Sequence, residues 1–204
     1  MPGPALKTDA IVLLKRPATD AFEALTVFSP EEGGLRILHR VPRKPNPAHV
    51  PLDLFDEVAL WLEAAAGGSW FVKEARLITR PAGIGQRYDR LQGACAFANV
   101  IAHNPIPEES RAIVYRLLQT SLAAFAATAR PEVVSFKSLY CFARDEGHPL
   151  KQHWFPTLPA ADRALVGELL NRPVSDQTTP APEVTRLLRR LEEYLQGHTE
   201  LVLA

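Results

Sequence analysis

The hydrophobic period changes once along the chain, near residue 80, and this change constrains the fold more than any other feature. Before it, apolar and β-branched residues alternate in short runs, which is typical of strands that bury one face. After it, apolar residues recur at spacings of three and four, as they do on amphipathic helices. The sequence therefore predicts an α+β protein with two domains, at residues 1–80 and 81–204.

Strand-like runs fill the N-terminal domain, at residues 8–15, 22–28, 35–41, 56–65 and 70–79. Glycine-containing turns follow the second and fourth runs, and the turn after the fourth predicts a hairpin with the fifth. Five short strands with such turns predict a small Greek-key β-barrel of OB type. Because the fourth run also has a helical pattern of apolar residues, a helix there stays open as an alternative.

The C-terminal domain is predicted to be all helical, with prolines marking the breaks between helices. Its first helix has Tyr88, Leu91, Cys95 and Ala98 at helical spacing, which predicts that this stripe is buried. A loop insertion is expected near residues 143–157, where glycine and proline interrupt the helical period.

Composition limits the class of protein. The chain is 47% hydrophobic and 23% charged, as expected of a globular protein with a true core. Lys and Arg together number 23, and Asp and Glu together also number 23, so any basic surface must be local.

Cys95 and Cys141 are too few for a disulfide framework and have apolar neighbours, which predicts buried thiols in a reducing compartment. No apolar run approaches the ~20 residues of a membrane helix, and the N-terminus lacks secretory-signal features, so we expect a cytoplasmic protein without a membrane partner.

Catalytic motifs are missing from the sequence. It contains no G-x-S-x-G, no H-E-x-x-H and no glycine-rich phosphate loop before a helix, so we expect a protein that is not an enzyme and needs no cofactor. His148 and His153 follow Cys141 within a short span, but no C-x-x-C or H-x-x-x-H pair accompanies them, and no metal site is predicted.

The most informative segment runs from Gly33 to Leu52, which has four fixed positive charges and no acidic residue. Prolines keep its second half extended, and an extended basic loop that leaves a barrel strand can follow a phosphate backbone. The predicted phosphate contacts are Arg40, Arg43 and Lys44, supported by Arg36, Lys15 and Arg16. A solvated loop without a ligand is the alternative interpretation of the same charges.

Aromatic residues of the predicted strands allow two interpretations. They can stack on the bases of a single strand, or they can fill the core of the barrel, and for strand residues the core is favoured. The residues concerned are Phe22, Phe28, Trp61, Trp70 and Phe71.

The order of these N-terminal motifs resembles that of the RecO family of recombination mediators. Residues 8–13 (TDAIVL), 25–29 (LTVFS) and 34–45 (GLRILHRVPRKP) are similar to the family's successive E-A-I-V-L, L-T-L-L-T, G-K-L and A-R-G-x-R-K-P motifs. Residues 158–170 and 185–195 resemble two of its C-terminal helices. The resemblance extends over nearly the whole chain.

The resemblance implies an OB fold, a helical domain and a zinc-finger insertion. It also implies binding to single- and double-stranded DNA, annealing of complementary strands, and recombinase loading in recombinational repair, together with RecR and single-strand binding protein. Cys141 stands alone where the family has four zinc cysteines, so we expect a shortened, metal-free loop. Val41 replaces the glycine of the A-R-G motif.

Two other functions compete with this one. The first is a helical protein-interaction adaptor without any nucleic-acid role, which the neutral net charge favours. On its last helix, Arg186, Arg189 and Arg190 could receive an acidic segment of a partner, although such a charged face is more often simply solvated. The second is a small enzyme, but the sequence contains no nucleophile–base pair or paired-carboxylate motif that supports it.

Overall fold

The computed structural model of the chain describes residues 4–17, 21–42, 44 and 49–203. Over these residues, a five-stranded N-terminal sheet precedes six α-helices, which confirms the predicted α+β class. The chain forms two compact units. The first combines residues 1–81 with 105–115, and the second combines residues 82–104 with 116–204. They are called the sheet unit and the helical unit below.

The strands of the sheet unit follow the predicted runs closely. They are β1 (Ala5–Lys15), β2 (Phe22–Ser29), β3 (Gly33–Arg40), β4 (Glu57–Ala64) and β5 (Trp70–Thr79). The fourth run is therefore a strand, and the helical alternative for it is wrong. The run looks helical because Val58, Ala59 and Leu60 are apolar at successive positions. They are nevertheless strand residues, since a strand paired on both edges can bury apolar side chains on both of its faces.

The pairing pattern closes the sheet. β1 pairs antiparallel with β2 and β4, β2 with β3, and β4 with β5, whereas β3 and β5 pair in parallel. The order β1-β2-β3-β5-β4 thus returns to β1. Apolar side chains from these strands and from the segment before β4 fill the interior: Ala10, Val12, Leu25, Val27, Ile37, Leu52, Val58, Leu60 and Leu62.

The turn between β4 and β5 is built on glycine. Gly67 and Gly68 have φ angles of 68° and 70°, a region that L-residues with side chains rarely adopt. The Ala65 N–H donates a hydrogen bond of 2.9 Å to the Ser69 carbonyl and closes the connection. The predicted β4–β5 hairpin is confirmed by this turn and by the antiparallel register that follows.

The helical segments, apart from short 3₁₀ turns, are α1 (Tyr88–His103), α2 (Glu108–Ala127), α3 (Pro131–Asp145), α4 (Leu150–His153), α5 (Ala160–Asn171) and α6 (Ala181–His198). The first two turns of α2 belong to the sheet unit. There, the Tyr115 hydroxyl lies 3.1 Å from Glu57 Oε1 and donates a hydrogen bond to it. Burial, together with the Glu57 charge, raises the pKa of Tyr115.

The buried stripe of α1 differs from the predicted one. Tyr88 is 78% exposed, and Leu91 and Cys95 are half-buried. The positions that are buried at helical spacing are Ala94, Phe97, Ala98 and Ile101. The helix is rotated in this way because Phe97 packs edge-on against Phe142 of α3, with 6.4 Å between ring centroids.

Residues 143–157, where a loop insertion is predicted, contain the end of α3, all of α4 and a 3₁₀ turn at Phe155–Thr157. Trp154 within this span is 2% exposed. Its ring centroid lies 6.5 Å from that of Phe136, 6.3 Å from that of Tyr140 and 6.5 Å from that of Tyr194. The segment therefore contributes to the core of the helical unit.

A buried carboxylate joins α5 to α6. Asp162, 6% exposed, accepts hydrogen bonds of 2.9 and 2.7 Å from Arg186 and one of 2.7 Å from Arg190. Two of the three arginines on the predicted partner-binding face of α6 are thus already paired within the chain. The third, Arg189, has its Nε 3.6 Å from Glu193.

Replacing Asp162 by asparagine should lower the free energy of unfolding by about 2 kcal/mol at neutral pH. The value is smaller than for a fully buried ion pair because both guanidinium groups keep contact with water. Hydrogen bonds from Arg186 hold the pKa of Asp162 below its usual range. Its contribution is therefore present above the unfolded-state pKa of about 4 and is lost as the pH falls through the lower folded-state pKa.

Urea denaturation followed by far-ultraviolet circular dichroism measures the loss of stability on Asp162→Asn. Glu183→Gln is the control, because Glu183 is a more exposed partner of Arg186. The difference between wild type and Asp162→Asn should shrink in acid. An unchanged difference between neutral and acid pH would show that the ion pairs do not contribute as described.

Candidate nucleic-acid interface

The exposed face of β3 has the predicted arginines. Arg36 and Arg40 are exposed, whereas Ile37 and His39 between them are 0% and 5% exposed. Both guanidinium groups belong to the outward-facing set of the strand, as expected of side chains separated by an even number of residues.

A groove of about 1170 Å³ lies at the C-terminal end of β3. It is bounded by the start of β2, the end of β3, the segment that follows β3, and the first half of β5. Arg40, Lys44 and Lys73 are its basic lining residues, and Glu74 is acidic. Lys73 is ion-paired with Glu63, so Arg40 and Lys44 are the cations best placed to meet an anionic ligand in this groove.

Two aromatic rings line the same groove. Phe22 of β2 and Phe71 of β5 are half-buried, with ring centroids 5.5 Å apart and planes inclined by 49°. Phe28, by contrast, is 1% exposed, and Trp70 packs against the interior cluster of the sheet. Of the candidate stacking residues, Phe22 and Phe71 are therefore the pair with access to the groove, while Phe28 and Trp70 fit the core interpretation.

A cluster of ionisable groups, Glu23, His39 and His49, lies at the groove, and the two histidines line it. His39 Nδ1 is 3.0 Å from Glu23 Oε1, and both residues are buried. The His49 ring stacks on that of His39, with centroids 4.7 Å apart and planes inclined by 14°. Burial, followed by the charge of His39, lowers the pKa of His49 against the opposing effect of Glu23. His49 therefore lines the groove as a neutral ring at neutral pH.

Lys15, one of the predicted supporting contacts, is held by this cluster. Its Nζ donates a hydrogen bond of 2.7 Å to the Leu52 carbonyl oxygen. The same atom lies 3.3 Å from Glu23 Oε2 and 3.9 Å from Asp53 Oδ1. The ammonium group thus already has two carboxylate neighbours. Its structural contribution is to compensate the buried charge of Glu23.

The structure brings some of the predicted residues together and separates others. Arg40 and Lys44 line the groove, and Arg36 lies four residues before Arg40 on the same face of β3. Arg16 is exposed just beyond the end of β1. Arg43 lies outside the described residues, so its role stays a prediction from the sequence.

Phe71 of β5 was named from the sequence as a stacking candidate, but neither the position of β5 beside β3 nor the lining residue Lys73 was expected. Phe71 and Lys73 reach the groove because β5 pairs in parallel with β3, with Leu38 opposite Phe71. A long segment and β4 separate β3 from β5 in the chain, so their parallel pairing leaves no local signal in the sequence. The closing order of a five-stranded Greek-key sheet could have indicated it.

Neither the family models nor the curated proteins with which the chain was compared gave a match. Within the described part of the chain, no three His, Cys, Asp or Glu side chains are grouped to hold a metal ion. No helix among these residues is both long enough and apolar enough to span a membrane.

Proposed function

We propose that the protein is a nucleic-acid-binding protein with an OB-type barrel, and that it binds and anneals DNA strands as a RecO-like mediator. The observation that carries the proposal is the groove at the end of β3, where Arg40 and Lys44 line the same space as Phe22 and Phe71. Cations there would neutralise phosphates, and the rings would stack on unpaired bases.

The strand order supports the fold part of the proposal. β4, β1, β2 and β3 lie side by side in the order 4-1-2-3, which is the order of a Greek key, and β5 closes the sheet between β3 and β4. OB-type barrels bind oligonucleotides on the face of strands 2 and 3, with help from the loops between strands 1 and 2 and between strands 4 and 5. The groove is lined by β2, β3 and β5, next to that face.

Annealing requires no covalent chemistry, so the absence of a catalytic motif in the sequence is compatible with this function. Two strands repel one another until their phosphates are neutralised, and a basic surface with stacking rings lowers that repulsion while holding bases accessible. Recombinase loading, with RecR and single-strand binding protein as partners and the cytoplasm as compartment, completes the proposal on the basis of the resemblance.

The triple variant Arg40→Ala/Arg43→Ala/Lys44→Ala should bind a fluorescent single-stranded oligonucleotide at least about 30-fold more weakly than wild type in anisotropy titrations at low salt. Each lost phosphate contact removes an ion pair of about 0.7–1 kcal/mol. Arg116→Ala/Lys151→Ala/Arg189→Ala is the matched control, because it removes the same charge from exposed positions of the helical unit. Equal losses in the two variants would mean that overall charge, not the groove, governs binding.

Lowering the pH from about 7.5 to 5.5 should strengthen binding of the oligonucleotide by about fivefold through His49. Because its pKa is lowered from 6.5, His49 gains its charge only in acid, and a nearby phosphate favours that charged form. The same titrations on His49→Gln should lack this part of the increase, whereas His153→Gln, altered at an exposed site of the helical unit, should keep it. Identical pH profiles for all three proteins would exclude His49 from the interface.

A further inference from the structure

A second groove lies wholly within the helical unit. It has a volume of about 470 Å³ and is walled by α1 and α6, with α3 as its floor. Phe97, Leu139 and Leu188 are among its apolar lining residues, and Leu203 near the C-terminus contributes a further apolar side chain. This α1–α6 groove shares no lining residue with the groove of the sheet unit.

The length of the groove follows from the helices that wall it. Lining residues extend from Asp89 to Val100 on α1 and from Ala181 to Glu192 on α6. At 1.5 Å per residue, each wall is about 16 Å long, which equals about three turns of an α-helix. A short amphipathic helix that presents one apolar stripe matches these dimensions.

The ionisable residues that line the groove are all acidic, although two of them are paired with arginines outside the lining. Its ionisable lining residues are Asp89, Glu132 and Glu192, and no Lys, Arg or His belongs to the described lining. Asp89 is paired with Arg87, and Glu132 with Arg130. The Glu192 carboxylate has neither an ion pair nor a hydrogen bond to any other described residue, although the side chain is half-buried among apolar neighbours.

The Glu192 carboxylate is in an environment that disfavours its charge. Burial, and then the charge of Glu193, raises the pKa of Glu192 above its usual range. A half-buried carboxylate without a partner is unfavourable, and an incoming ammonium or guanidinium group would remove that cost. Phosphate groups or acidic side chains would increase it.

We infer that the α1–α6 groove binds a short amphipathic helix of a partner protein, one with a Lys or Arg beside its apolar stripe that pairs with Glu192. The apolar floor would receive residues spaced three and four apart, and the cation would lie against the α6 wall. This interaction is additional to the proposed DNA site, and it does not depend on Arg40 or Lys44.

A phage-displayed library of random twelve-residue peptides tests the inference on the full chain. The groove is blocked in the variant Ala96→Trp, since Ala96 is an exposed lining residue of α1 where a larger side chain would project into the cavity. Peptides retained by wild type and not by Ala96→Trp should have an apolar stripe at helical spacing and at least one Lys or Arg adjacent to it.

The most enriched peptide is then titrated by fluorescence anisotropy against two charge variants of α6. Glu192→Gln should weaken its binding by about tenfold. Glu193→Gln is the matched control, because Glu193 is 64% exposed, is not a lining residue, and lies near Arg189. Its affinity for the peptide should stay within about twofold of wild type.

Several outcomes would overturn the inference. These are the enrichment of no peptide, the enrichment of acidic peptides, equal retention by Ala96→Trp, and equal effects of the two glutamine variants. Circular dichroism spectra and thermal midpoints of the variants establish that they are folded. Because oligonucleotide binding is measured on the same proteins, failure of this site and failure of the proposed function remain distinguishable.

Discussion

Replacing Trp154 by alanine should lower the free energy of unfolding of the helical unit by about 4 kcal/mol, the largest effect expected of any substitution considered for this protein. Trp154 is 2% exposed and contacts three aromatic rings, those of Phe136, Tyr140 and Tyr194. Its removal leaves a cavity that these neighbours, fixed on α3 and α6, can close only in part.

Guanidinium denaturation followed by far-ultraviolet circular dichroism measures the loss. Trp154→Phe should lose about half as much stability, since it keeps an aromatic ring in the same space. Phe155→Ala is the control, because the neighbouring Phe155 is only half-buried and its truncation leaves a smaller void. A loss below about 1 kcal/mol for Trp154→Ala would contradict the assignment of this residue to the core.

Replacing Gly83 by alanine should lower the free energy of unfolding by about 3 kcal/mol. The new Cβ would lie 2.2 Å from the carbonyl oxygen of Ala126, and backbone atoms cannot yield as a flexible side chain can. Arg90 fixes the approach, since its Nη1 donates hydrogen bonds to the carbonyl oxygens of both Gly83 and Ala126. The start of the helical unit depends on this close approach of the two backbones.

Gly85→Ala is the matched control, because Gly85 lies in the 3₁₀ turn that Gly83 precedes and an added Cβ there meets nothing within 4 Å. It should leave stability unchanged or raise it slightly, through the lower entropy of the unfolded chain. Thermal and denaturant unfolding of the two variants should therefore differ clearly. Equal stabilities would mean that the approach of Gly83 to Ala126 is looser than described.

The strands could be predicted from the sequence because each one buries apolar residues from a short run, and the turns after the second and fourth strands contain glycine. The fifth predicted strand coincides with β5 at both ends, Trp70 and Thr79. The outward position of Arg36 and Arg40 followed from alternation alone, since neighbouring side chains of a strand point to opposite faces.

The remaining features depend on contacts between distant parts of the chain. The predicted α1 stripe shares only Ala98 with the buried one, because Tyr88 and Phe97 are both aromatic and only the packing of Phe97 on Phe142 shows which is buried. Phe71 and Lys73 reach the groove through the parallel β3–β5 pair. Trp154 lies among glycine and proline residues that give no helical period, so its place in the core left no signal in the sequence.

The most direct test of the central claim is the salt dependence of binding to a single-stranded oligonucleotide, for wild type and the Arg40→Ala/Arg43→Ala/Lys44→Ala variant. The logarithm of the association constant should fall linearly with the logarithm of salt concentration between about 50 and 200 mM. With three fewer phosphate contacts, the slope of the variant should be shallower by about 2, at roughly 0.7 per contact. No binding by wild type at low salt, or identical slopes for the two proteins, would contradict the assignment of the groove as a nucleic-acid site.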